Sequence, residues 1–217
     1  MKYGKEPWSA ATHFGGFVLA VVGLVFLVVQ SAHSASKVTA MALYGGSLVA
    51  LFGASSIYHF FDLGERGNKW LRRLDHSAIF LLIAGSYMPP LFHLLHGSAR
   101  VTMIAVVGGI AILGVAVKLV WIDAPTWVGL TLYLALGWIA LVPIWWMLPH
   151  LAPLGLGLLL GGGVVYTLGA VVYAKKWPDP WPTTFGHHEV WHLFVLAGAG
   201  LHFAFVYSLL HAPVPTF

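Results

Sequence analysis

The stretch of this chain richest in possible chemistry runs from Gly186 to Phe194 and contains His188-Glu189-Val190-Trp191-His192. Two histidines at this spacing lie about 40° apart around a helix, so both can reach one point beside it. Read as H-E-x-x-H, the stretch matches the zinc-binding helix of a metalloprotease, with Glu189 as the base. Ser55 and His59 repeat the four-residue spacing, and Leu74-Asp75-His76 adds a carboxylate. Three imidazoles, from His59, His188 and His192, plus a water would make a four-coordinate Zn2+ site with one open position. Asp75 could orient that water or take its proton. The competing reading makes each histidine an interfacial residue bonded to backbone or lipid headgroup.

Whether these residues can meet depends on the elements that carry them. The chain has 217 residues, 59% of them hydrophobic and 8% charged, with a mean hydropathy of +0.84. A soluble domain carries about 25% charged residues, so this composition indicates an all-α membrane protein. Seven apolar runs, at about 13–30, 38–60, 76–95, 101–121, 127–147, 153–174 and 189–210, each approach the roughly 20 residues that span about 30 Å of hydrocarbon. We read residues 1–217 as a single seven-helix transmembrane domain. The first run, flanked by Lys2 and Lys5, is read as a retained span and not as a cleaved signal peptide. Pro89-Pro90 and Pro143 predict kinks, and Gly157-x-x-x-Gly161 predicts a close helix contact. With no cysteine, thiolate ligands, disulfides and cysteine nucleophiles are excluded, and a metal must rest on His, Asp or Glu.

Alternate connections fix an orientation. Lys2, Lys5, Arg66, Lys69, Arg72, Arg73, Lys118, Lys175 and Lys176 fall on the N-terminal side, and only Lys37 and Arg100 on the other. The positive-inside rule then puts the N-terminus in the cytoplasm and, after seven spans, the C-terminus outside. The net charge of +4 reflects this topology and calls for no nucleic-acid partner. His59 ends the second run, Asp75 and His76 open the third, and His188 and His192 open the seventh. Glu6 and His13, at the start of the first, share the same depth, so the polar groups collect in one leaflet. Ionisable groups within spans are expensive, and such clustering marks a functional site.

Ser55-x-x-x-His59, Leu74-Asp75-His76-Ser77-Ala78-Ile79 with Gly85-Ser86-Tyr87-Met88-Pro89, and His188-x-x-x-His192 with His202-Phe203 resemble three blocks of the progestin and adipoQ receptor superfamily, most of all its bacterial branch, the hemolysin III family. Glu6-x-x-Ser9-x-x-Thr12-His13-x-x-Gly16 resembles the opening block, with Ser9 where asparagine is usual. The resemblance spans essentially the whole chain. It implies a multi-pass protein of the bacterial inner (cell) membrane, with a metal site near the cytoplasmic face. It also implies zinc held by His59, His188 and His192, with Asp75 and Ser55 reaching the metal through water. Relatedness to alkaline ceramidases implies a zinc-dependent hydrolase of a lipid amide or ester, and other bacterial members are linked to membrane lipid homeostasis.

On this reading zinc would lower the pKa of its water toward about 7 and polarise a carbonyl. Asp75 would act as base and then return the proton to the leaving group, while Ser55 would hydrogen-bond the water or the developing oxyanion. The substrate's acyl chain would lie between helices, with membrane lipids as partners; no feature sets an oligomeric state. Glu189 is the rival base, against a role at the first turn of its helix. Glu6, His13 and His76 are possible supporting groups. His202 is read as a helix-packing residue, and His33, His93, His96, His150 and His211 as residues of the outer face. Lys118 is expected to snorkel to the inner headgroups. Two other functions stay open: a receptor-like or pore-forming cytolytic protein with structural zinc, and an intramembrane metalloprotease.

Overall fold

The computed structural model describes residues 5–210, so Lys2 and His211 lie outside the described residues. The chain is helical nearly throughout: α1 Pro7–Gln30, α2 Ala35–Phe60, α3 Gly64–Leu94, α4 Gly97–Val120, α5 Thr126–Trp138, α6 Ile144–Met147, α7 Pro153–Lys175 and α8 His187–Leu210. Seven helical segments are long and apolar enough to cross a membrane; α5 and α6 share the fifth, Thr126–His150. Neighbours in sequence pack side by side from α1 to α4, and α8 returns between α7 and α1 to close the bundle. Tyr44, Phe80, Leu27, Leu91 and Phe205 fill its centre. Leu19, Val22, Val29, Val101 and Ile112 stay exposed on the outside, where a bilayer and not water is the fitting solvent.

Helix α3 differs most from the sequence expectation. Asp62 to Asp75 read as a connection, yet the helix begins at Gly64 and places Asp75 eleven residues inside it. The segment Gly64–Leu74 is rich in Glu, Arg, Lys and Leu, which favour helix, and its charge hid it from a hydropathy reading. Asp62 and Asn68 hold the turn: Asp62 Oδ1 accepts from the Gly64 N–H at 3.2 Å and from Asn68 Nδ2 at 2.8 Å. The same helix runs through Pro89 and Pro90 without interruption.

The fifth span does break. Its α-helix gives way to a 3-10 turn at Ile139–Leu141, just before Pro143, and resumes for a single turn. A break in hydrocarbon frees carbonyls that need donors. The Tyr87 hydroxyl supplies one, lying 2.7 Å from both Leu136 O and Gly137 O. Of the two glycines expected at a close helix contact, Gly161 faces Leu201 of α8 at ordinary contact and Gly157 has no neighbour within 4 Å; the tighter approach is at Gly169, where a Cβ would stand 2.7 Å from Phe194 Cβ. Other expectations also shift. His93 is buried and not part of an outer surface, and Lys118, expected at the headgroups, is only 5% exposed. His202, by contrast, is the packing residue expected, its Nε2 3.2 Å from Leu159 O.

Candidate metal centre

Helix α2 delivers His59 in its last turn, and α8 delivers His188 and His192 from its first two turns. One ring nitrogen from each of the three lies within 4.8 Å of the others. His188 Nε2 stands 3.5 Å from His59 Nε2, close to the about 3.4 Å that two nitrogens span on a tetrahedral ion with bonds of about 2.0–2.1 Å. His59 and His192 are fully buried, and neither ring nitrogen of His192 meets a hydrogen-bond partner among the described residues. A buried imidazole without a partner is costly, and a shared cation would use the lone pair left over. Three neutral nitrogen donors suit zinc, so the residues present fit the ion.

The residues around the three imidazoles orient them. Glu6 Oε2 holds His59 Nδ1, which leaves Nε2 turned toward the cluster. Backbone bonds secure that carboxylate: Glu6 N–H donates to His59 O at 2.9 Å, and Lys5 N–H to Phe60 O at 3.2 Å. The His59 contact keeps the Glu6 carboxyl below the usual carboxylate range, so it stays charged. A carboxylate on the far nitrogen of a ligating histidine fixes the tautomer and raises its basicity. His13 lies flat on His192, ring centroids 3.6 Å apart and planes 10° from parallel, and its Nδ1 is 2.7 Å from Ser55 Oγ. Gly16, one turn on, lets α1 come this near, since a Cβ there would fall 2.7 Å from Leu196 Cδ2.

Two cavities adjoin the cluster and share Ile79, Leu130, Tyr133 and Trp191 as a common wall. One, of about 160 Å3, lies within the bundle and is lined mainly by apolar groups, with His13, Ser55 and the buried Asp75 among its few polar ones. The other, of about 730 Å3, is polar and carries His59, His188, Arg72, His76, Lys118 and Asp123. The structure thus brings Asp75 and Ser55 to one cavity and His59 and His188 to the edge of the other, with His192 buried behind them. His76 belongs to the polar cavity, its carbonyl accepting from Tyr133 at 2.9 Å.

Glu189 is placed differently from the metal set. Its Oε1 accepts from Ser9 at 2.6 Å and its Oε2 from the Gly186 N–H at 2.8 Å. The second bond is the glutamate half of a capping box at the start of α8. The sequence reading missed Ser9 as the partner of Glu189 and ranked His13 only as a possible support. The signal was present, because Glu6, Ser9 and His13 recur at three- and four-residue intervals and share one helix face.

The profile of the haemolysin-III related family matches residues 1–203. This chain belongs to that family. Its haemolysin-III relatives include Hemolysin-3 of Bacillus cereus, 32% identical over 214 residues that cover 98% of this chain and 93% of the relative. The Hemolysin-3 homolog of Bacillus subtilis (strain 168) is 30% identical, covering 96% of each chain. More distant is the adiponectin receptor protein of Drosophila melanogaster, 29% identical over 91% of this chain and 49% of the receptor. A multi-pass membrane protein of the haemolysin-III family is therefore the frame for the histidine cluster.

Proposed function

We propose that this haemolysin-III protein is a zinc-dependent membrane hydrolase that cleaves a lipid amide or ester and serves membrane lipid homeostasis. The observation that carries this reading is three converging imidazoles, two of which, His59 and His188, edge a polar cavity suited to a headgroup that shares a wall with an apolar cavity suited to an acyl chain. Zinc held by His59, His188 and His192 would supply Lewis-acid activation of water and of the scissile carbonyl. The chain's own residues do the rest. Asp75 accepts the proton of the attacking water and returns it to the leaving amine or alcohol. Ser55, when it accepts from the Nδ1–H tautomer of His13, has its hydroxyl proton to donate, to Asp75 at rest and to the developing oxyanion during reaction. Ile79, Leu82, Leu91 and Phe205 on the apolar wall hold the chain and exclude water.

In this reading the protein lies in a bacterial cell membrane, with the N-terminus and metal centre toward the cytoplasm and the C-terminus outside. The support is the Lys and Arg count, together with Arg72, Lys118 and Asp123 at the histidine end of the bundle. The capping bonds of Glu189 count against a protease. A second reading, a pore-forming cytolytic or receptor-like protein with structural zinc, has the name of the Bacillus cereus relative in its favour. The deciding experiment is metal analysis of purified protein combined with turnover of lipid amides, lipid esters and membrane peptides before and after chelation. The hydrolase reading expects about one zinc per chain and turnover of lipid that disappears with the metal. Undiminished turnover after chelation overturns it, and red-cell lysis that persists in His188→Ala selects the pore.

A further inference from the structure

The polar cavity contains one cation that no carboxylate among the described residues pairs with. Lys118, in the last turn of α4, is 5% exposed and lines this cavity with Arg72 and His76. Every carboxylate on the cavity wall is committed elsewhere. Asp123 pairs with Lys69 at 2.7 Å and Arg72 at 2.5 Å, and Glu6 holds the His59 ring. Asp179 accepts from the His187 N–H at 2.8 Å, and Glu189 accepts from Ser9 and Gly186. Among the described residues no ion pair reaches Lys118, and the charged neighbour whose field acts on it is Arg72, of the same sign.

Such an arrangement is unfavourable, because Asp123 offsets Arg72 and Lys69 while Lys118 stands near Arg72 with reduced access to water and no carboxylate of its own. The surroundings are nevertheless shaped around the ammonium. A Cβ on Gly129 would stand 2.6 Å from Lys118 Nζ, so α5 leaves the amine its space, and the Tyr133 ring lies 5.7 Å from it. Further donors are unused: among the described residues, Arg72 Nε and His76 Nδ1 are buried without a hydrogen-bond partner. A guanidinium, an imidazole and an ammonium converging from two helices exceed what the two oxygens of a carboxylate need, and match a tetrahedral oxyanion.

We infer that this cavity is a phosphate-binding site in which Arg72, His76 and Lys118 hold the oxyanion. The phosphate can belong to a lipid headgroup or be free in solution. The inference stands apart from the hydrolase reading, since an anion would bind there whether or not the histidine centre turns over a substrate.

The test is calorimetric titration of the full chain in maltoside micelles, once with inorganic phosphate and once with dihexanoyl phosphatidic acid. Saturable binding of at least one probe is expected. Lys118→Met should weaken it tenfold or more, and Lys118→Arg should largely restore it. Lys175→Met, which removes an exposed charge outside the cavity, should bind as wild type does. Binding of the lipid alone identifies a headgroup site, and equal binding of both identifies free phosphate. Thermal unfolding of Lys118→Met at or above the wild-type temperature shows that the fold is intact. Failure of both probes to saturate, or wild-type affinity in Lys118→Met, overturns the inference.

Discussion

Ser9 donates to Glu189 across 180 residues of sequence, at 2.6 Å, and so ties the start of α1 to the start of α8. The acid that gives His188-Glu189-x-x-His192 its protease appearance thereby becomes a structural fastening. Glu189→Ala should keep its zinc and much of its turnover while losing about 1 kcal/mol of stability, the usual worth of a helix cap. Asp75→Ala should keep its zinc and lose turnover by about 10^2–10^4-fold, as expected for removal of a general base. Metal content, thermal unfolding and lipid hydrolysis measured side by side check both; loss of turnover in the glutamate variant alone would reverse the assignment.

Glu6 reaches His59 from outside the membrane-spanning helices, so it can be altered without disturbing the core. Glu6→Gln keeps the shape and removes the charge from behind a ligand nitrogen. Zinc affinity should fall about 10–100-fold, the common effect of losing such a partner. Competition against a fluorescent chelator would measure this, and unchanged affinity would separate the carboxylate from metal binding.

Asp123 fastens the α4–α5 connection to α3 through Lys69 and Arg72, and these two cations hold its carboxyl below the ordinary range. A depressed carboxyl contributes stability that is complete above the unfolded-state value, near about pH 4. That contribution fades as pH falls through the lower folded-state value. Asp123→Asn should therefore be slightly less stable than wild type at pH 7, with the gap closing below about pH 4 and shrinking in high salt. Unfolding temperatures across pH and ionic strength test it, and a gap that widens in acid would contradict this sign.

The chain has no cysteine, so single cysteines report topology cleanly. Ser98→Cys and Lys175→Cys lie exposed at opposite ends of the bundle. In intact cells a membrane-impermeant maleimide should label position 98 directly and position 175 only after permeabilisation. The reverse pattern would invert the proposed orientation.

Much of the fold could be read directly, because long apolar runs have few outcomes in a bilayer. The histidines of α2 and α8 were legible for a related reason: a four-residue spacing puts two side chains on one face whatever surrounds them. Helix α3 was misplaced at its start because Gly64–Leu74 is mostly charged and polar, so helix propensity and not hydropathy carries the signal there. Lys118 was read as a snorkelling residue because the sequence does not show that Gly129, on another helix, makes room for its amine. The stacking of His13 on His192 likewise depends on how closely α1 approaches, which Gly16 permits but no local pattern announces.

Tyr87 joins two spans in a way that bears on biogenesis. A fifth span whose α-helix breaks is a poorer solute for hydrocarbon when it stands alone, since the Leu136 and Gly137 carbonyls at the break share the Tyr87 hydroxyl of α3. Synthesis delivers the third span before the fifth, so the phenol is in place when the broken helix arrives. The irregular wall of the apolar cavity is thus completed by order of arrival: a segment unsuited to insert by itself becomes acceptable beside one already there.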